Sequence, residues 1–280
     1  MIKIVCDSSC DLTKELIEEF KITVIPFSVM LGDEEYKDGV SLNPSMIFDY
    51  VAKTGALPKT SAINQFEFEE IFSKFDKSDE VIYFSIGSKF SVSCKNAQEA
   101  SKKFENVHVI DSMSLSSGMG IQAIYASQLA TQGLSVQEIV DKVEARRSKV
   151  QIGFQTYKLN YLHKGGRCSS VQLLGANLLK IRPSIRLVDG RLEMNKKYMG
   201  PMIKVCKKYV ADTILENNSP NLDLVIITHA SATPEVVDAV RQELLNRVAP
   251  VRLEETVAGA TVTSHCGENT IGVIYYNDGK

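Results

Sequence analysis

The chain has no excess charge of either sign, no long apolar run, no C-x-x-C pair and no phosphate loop, and each absence removes a class of function. With 32 Lys+Arg against 34 Asp+Glu, a formal net charge of -2 leaves no electrostatic footprint for nucleic acid or an anionic membrane. No apolar run is long enough to span a bilayer. The opening Met1-Ile2-Lys3-Ile4-Val5-Cys6-Asp7 turns polar too early for a signal peptide's apolar core. The expected location is cytoplasmic, without stable membrane insertion. Cys6, Cys10, Cys94, Cys168, Cys206 and Cys266 are scattered, with no histidine at zinc-ligand spacing, so reduced thiols acting as small apolar fillers are expected, with no disulfide and no metal. There is no G-x-x-x-x-G-K-S/T motif, and Gly118-Met119-Gly120 lacks the rest of a dinucleotide fingerprint, which disfavours a nucleotide cofactor. No Pro- or Ser-rich stretch marks a linker.

What is present is an ordinary folded composition, 44% hydrophobic and 24% charged over 280 residues, enough for one large domain or two ordinary ones. Strand patterns alternate with helical ones. Ile2–Cys6, Lys21–Leu31, Val81–Ile86 and Val107–Ile110 read as strands. Asn43-Pro44 opens a helix as cap and first residue, and Ser135-Val136-Gln137-Glu138 is a capping box. In the second half Gln151–Thr156, Leu222–Thr228 and Thr270–Tyr276 read as strands. A helix is expected around Val171–Leu179 and another over Pro201–Glu216. Asp189-Gly190 between Ile181–Leu187 and Arg191–Asn195 is a hairpin signal. The alternation predicts an α/β fold of two closely packed domains, 1–150 and 151–280, with mostly parallel sheets, helices on both faces and a ligand site in the cleft between the domains.

Hydroxyls gather where the strands end: Asp7-Ser8-Ser9, Thr60-Ser61, Ser88, Ser91 and Ser93, Asp111-Ser112, and Thr263-Ser264-His265. Ligands of open α/β sheets sit outside the carboxyl ends of the strands, where helix N-termini present free N–H groups to an anion. Any one of these serines also serves as a plain N-cap. Ser88 to Ser93, however, crowds more hydroxyls at one helix start than capping needs. His229 ends an apolar strand, either as a ligand contact or as a strand cap. Gly165-Gly166-Arg167 lets the backbone approach another molecule closely; its alternative is a helix stop at Gly165 with a solvated arginine.

Taken in order, Cys6-Asp7-Ser8-Ser9-Cys10-Asp11-Leu12, Lys59-Thr60-Ser61, Ser88 to Ala97, Ile110-Asp111-Ser112, Leu159 to Arg167, Leu179 to Ile185 with Asp189-Gly190-Arg191-Leu192, and Ser264-His265-Cys266-Gly267 resemble the DegV family of bacterial fatty-acid-binding proteins over residues 2 to 276. The resemblance implies a carrier rather than an enzyme, without a cofactor. It implies one long-chain fatty acid between two α/β domains, its carboxylate against Thr60, Ser61 and Ser91 or Ser93 with His265 helping directly or through water. The acyl chain needs an apolar tunnel, for which Ile25, Phe27, Met30, Ile121, Ile124, Phe154, Leu162, Leu173 and Leu174 are candidate walls, each equally readable as plain core. The resemblance further implies delivery of the acid to a separate fatty acid kinase, with Arg167 docking that partner or neutralising phosphate; the competing role for Arg167 is an internal ion pair. Three departures stand out: Ala62 where glutamine is common, Val92 where glycine is usual, and Glu268-Asn269 in place of Pro-Gly. The rival class is a serine hydrolase acting on an acyl substrate, drawn from Ser91 or Ser93, His265 and Asp7 or Asp111. The absence of a G-x-S-x-G elbow speaks against it.

Overall fold

Apolar runs with no polar alternation belong in the middle of a parallel sheet, covered on both faces. In the computed structural model, which describes residues 1–157, 159–169, 181–215 and 218–279, two such runs form β1 (Ile2–Asp7) and β6 (Glu80–Ser85). They pair in parallel at the centre of a four-stranded sheet ordered β2-β1-β6-β7, with β2 at Ile22–Ile25 and β7 at Val107–Asp111. Alternate residues go to opposite faces. Val5, Val81 and Tyr83 meet Phe68 and Phe72 of α3 (Gln65–Phe72) and Ala97 and Ala100 of α4 (Ser93–Ser101). Ile4, Cys6, Ile82 and Phe84 meet Met119 and Ala123 of α5 (Ser117–Thr131) and Ile139 and Val143 of α6 (Val136–Arg147). The caps foreseen at Asn43 and Ser135 are made: Asn43 accepts from Met46 N–H ahead of α2 (Pro44–Thr54), and Ser135 and Glu138 complete their box before α6. A short α1 (Lys14–Glu19) joins β1 to β2.

The single strand expected over Lys21–Leu31 is two. β2 stops at Ile25, and β3 (Ser28–Leu31) resumes in a different, antiparallel sheet ordered β4-β3-β5, with β4 at Glu34–Lys37 and β5 at Lys59–Ser61. Pro26 stands at the break, with no N–H to give to a continuing ladder.

The second half forms a six-stranded sheet ordered β10-β9-β8-β13-β11-β12. Here β8 is Val150–Gln155, β9 Arg182–Val188, β10 Arg191–Tyr198, β11 Val225–Ala230, β12 Leu253–Val257 and β13 Thr270–Tyr276. The α/β class stands, and the first sheet is parallel, but this one is antiparallel at every pairing except β11 with β12. Only that pair has a helical crossover, α9 (Pro234–Leu245), of the kind parallel neighbours require. Asp189 and Gly190, at φ 47 and 75, turn β9 back on β10, and the final strand inserts against both neighbours.

Helices of its own half cover both faces of the first sheet, and among the described residues the longer helices of the second half lie on one face of the second. α8 (Met202–Leu215) and α9 cover one face of the second. The other face, with Ile152, Phe154, Ile185, Leu192, Ile226 and Ile274, joins one apolar cluster with Val5, Phe27, Tyr83 and Ile121 from the first half. The helix expected around Val171–Leu179 lies outside the described residues. Also short are α7 (Asn160–Gly165) and α10 (Ala260–Cys266); α10 belongs to the second half in sequence but packs on α2 and β3 of the first.

Candidate ligand-binding site

Where the segments after β6 and β7 meet the inner face of the second sheet, the structure leaves a cavity of about 410 Å³. That is within the range of roughly 300–1,000 Å³ common for small-molecule sites. Its walls are mainly apolar: Phe27, Ile86, Phe90, Phe154, Leu162 and Ile274 are among them. Of the walls expected from the sequence, Phe27, Phe154 and Leu162 line it. Ile25, Met30, Ile121 and Ile124 do not, and Leu173 and Leu174 lie outside the described residues. Ile86, Phe90, Leu192 and Ile274 were not foreseen, because nothing local separates a tunnel wall from ordinary core.

Part of the lining is polar, with Ser88, Ser116, Thr228, Thr261 and Thr270 adding hydroxyls to it. Thr60, Ser61, Ser91, His265 and Arg167, candidates scattered over 200 residues of sequence, all line the cavity. Ser93 does not. It is fully buried, and its Oγ accepts from Ile63 N–H (3.1 Å) and from Ser91 Oγ (3.2 Å), so it braces the 60–63 loop against the start of α4. Ser91 lies before α4 and accepts from Ser93 N–H (3.2 Å), whereas Ser93 opens the helix, so the two serines part company.

His265 sits near the end of α10 with Nε2 2.9 Å from Thr60 Oγ1, and its Nδ1 is buried with no hydrogen-bond partner. Burial, helped by the nearby positive charge of Arg167, pushes its pKa down to about 4. The imidazole is therefore neutral at neutral pH. The tautomer in which Nε2–H donates to Thr60 leaves the threonine proton free to meet an acceptor in the cavity.

Acids at or just beyond the ends of β1, β4 and β7 hold the wall in place. Asp38 Oδ1 and Oδ2 accept from the N–H groups of Ala260 (2.7 Å) and Thr261 (3.0 Å), the first turn of α10, and Asp11 accepts from Gly259 N–H (2.7 Å) and Ser116 Oγ (2.5 Å). Asp7 accepts from Ile86 N–H (2.7 Å) and Ser9 Oγ (2.5 Å). Burial raises Asp7 to about 6 and Asp11 to about 8 against these hydrogen bonds. Asp111 accepts from Ser88 and Met113 N–H groups. Among the described residues no carboxylate reaches His265, and its bonded hydroxyl is a threonine, so the serine–histidine–aspartate chain drawn from sequence is not assembled. His229 lines the cavity, and it is tied at the strand end by Glu255 (3.3 Å) and Ala232 N–H (3.3 Å) as the capping reading expects.

Arg167 is exposed at the cavity edge and donates to Gly165 O (2.8 Å). No described carboxylate pairs with it, against the alternative of an internal ion pair. Gly166, at φ 69, ends α7 one residue later than expected. Gly165 instead makes room for the histidine. A Cβ there would stand 2.8 Å from His265 Nδ1, so its absence lets α7 close onto α10. Ala62 and Val92 are both exposed on the rim, and Asn269 takes φ 57, a left-handed conformation that asparagine adopts nearly as glycine does.

Known proteins share this fold. The family model described as "Uncharacterised protein, DegV family" matches residues 1–278. The chain belongs to the DegV family. A DegV domain-containing protein of Staphylococcus aureus (strain COL) is 31% identical over 275 residues, 97% of each chain. A solved DegV family protein of Thermus thermophilus, described by its fatty acid binding, superposes with TM-score 0.87 at 26% identity over 99% of both chains. DegV of Bacillus subtilis, described as a fatty acid binding protein, gives 0.84 at 25% over 99% of both, and a stearic acid-binding protein of Eubacterium ventriosum 0.80 at 25% over 99% of both. Among the described residues no helix is long and apolar enough to cross a membrane, and no group of three metal-ligating side chains gathers. All six cysteines are buried thiols.

Proposed function

We propose that this DegV chain binds one long-chain fatty acid in the cavity between the two sheets and presents its carboxylate at the polar part of the lining to a separate fatty acid kinase. The observation that carries the reading is the lining of the cavity: mainly apolar walls, with Thr60, Ser61, Ser91 and the neutral His265 among its polar groups and Thr60 Oγ1 2.9 Å from His265 Nε2. Each buried methylene contributes about 0.8 kcal/mol, so the alkyl chain supplies most of the affinity. Hydroxyl donors fix the orientation of a carboxylate, and each such charge-assisted bond is worth about 1.5–3 kcal/mol. A neutral imidazole holds Thr60 without adding a buried charge. The fatty acids named for the Thermus, Bacillus and Eubacterium proteins support the same ligand class here.

Arg167, exposed at the cavity edge, is the docking cation for the kinase or for the phosphate transferred to the acid. Displacement of a fluorescent acid by free fatty acids and by their methyl esters tests the binding reading. Free acids should compete well, esters poorly, and the preference should collapse in Thr60→Val and Ser91→Ala. Equal competition by acid and ester would exclude a carboxylate site.

A further inference from the structure

A second, smaller pocket of about 180 Å³ lies along the seam where α5 packs on the second sheet. Its floor is apolar, made by Phe20, Ile121, Ile124 and Leu224, and Tyr276 closes one flank. The two arginines on its rim are already neutralised. Arg146 forms an ion pair with Asp278 (2.7 Å) and lies over the rings of Tyr125 and Tyr276, and Arg252 pairs with Glu19 (2.5 Å) and Glu254 (2.6 Å). Gln128, Asn221 and Asp223 add polar groups to the lining, and the apolar floor is what the pocket offers an alkyl chain.

Its position relative to the large cavity follows from the period of a strand. Gly272, Ile274 and Tyr276 share one face of β13; the first two line the large cavity and the third lines the small pocket. The same order runs along the facing chain, where Leu115 and Ser116 line the large cavity and Ile121 and Ile124, one to two turns into α5, line the small one. Between the two voids stand Ile274 and its register partner on β8, Ile152, in one apolar cluster with Ile121 and Tyr276. Ile152 is seated in the notch of Gly118: a Cβ there would lie 2.1 Å from Ile152 Cδ1 and 2.6 Å from its Cγ1.

We propose that Ile152 and Ile274 are the stop that sets acyl chain length, that Gly118 determines how far Ile152 stands out of the tunnel, and that the pocket behind is an extension which longer chains fill once the stop is cut back. This rests on the large cavity being an acyl-chain site. The test is displacement of a fluorescent acid by a graded series of saturated fatty acids, on the wild type, Ile152→Ala, Ile274→Ala and Gly118→Ala, with Ile152→Val and Ile274→Val as milder truncations. Truncation should move the preferred acid longer by up to about three carbons, the number removed from the side chain. Affinity for acids beyond the wild-type optimum should rise by about fourfold per methylene newly buried. Gly118→Ala should move the preference shorter, because Ile152 is pushed into the large cavity. Folded variants that bind acids with an unmoved length profile overturn the stop while leaving the acyl site intact. A wild type that binds no acid of any length overturns both.

Discussion

His265 owes its neutrality to burial, and two buried aspartates owe their raised pKa values to the same cause, so the stability of this protein has a pH signature with opposite slopes. A histidine whose pKa falls from about 6.5 to about 4 on folding loses stability as pH drops through that interval. Asp11, raised from 3.8 to about 8, works the other way: its contribution is complete below about pH 4 and is lost as pH rises toward 8. Asp7, raised to about 6, overlaps the histidine and partly cancels it. The window between about pH 6.5 and 8 therefore belongs to Asp11. Thermal unfolding should show stability falling with pH there in the wild type, and a flatter profile in Asp11→Asn, which keeps an oxygen for Gly259 N–H; an unchanged slope would mean that Asp11 is ionised throughout. Arg167→Ala should leave lipid content and Tm near wild type and lower the rate of phosphorylation by a cognate kinase, and normal turnover with that variant would remove it from the docking surface. Thr60, Ser61, Ser88 and Ser91 were legible in sequence because hydroxyls crowd strand ends beyond what capping needs, whereas Ser116, Thr228, Thr261 and Thr270 carry no such local signal. Asp38 was not, since its partners on α10 lie 222 and 223 residues away and no local pattern joins them.

At the scale of elements, α10 is the piece on which the polar lining depends. It is only seven residues long, and a helix so short is held by its neighbours rather than by its own propensity. Replacing Asp38 by alanine orphans two buried N–H groups and should cost about 1–3 kcal/mol for each, read as a lowered Tm, with acid binding weakened because His265 loses its seat. Gly165→Ala drives a methyl against His265 Nδ1 and should weaken acid binding at a stability cost of about 1–3 kcal/mol, the usual toll of overpacking; wild-type affinity in that variant would mean that the imidazole is not held where the site needs it. Most strands and helices were readable from periodicity and caps. The antiparallel second sheet was not: alternation of strands and helices suggests crossovers, whereas the direction of β13 is fixed by its insertion between β8 and β11, a long-range fact. Only Asp189-Gly190 gave local warning.

Across the whole molecule, the two halves are joined by more than the shared core. Ser117, Thr228 and Thr256 close a buried triangle of hydroxyl contacts at 2.7 to 2.9 Å, and Arg252–Glu19 and Arg146–Asp278 tie the far side of the seam. A ligand lying between both sheets adds another tie. At a free concentration one hundred times its Kd it would stabilise the folded state by about 2.7 kcal/mol, so delipidated protein should unfold at a lower temperature and recover on addition of fatty acid. The most direct measurement of the binding itself is the mass of the native protein as purified from a bacterial host, followed by denaturing extraction and identification of what is released. The expected result is about one long-chain fatty acid per chain, present under native conditions and lost on denaturation. Folded protein that carries no acyl lipid, or that releases a nucleotide or a sugar instead, would contradict it.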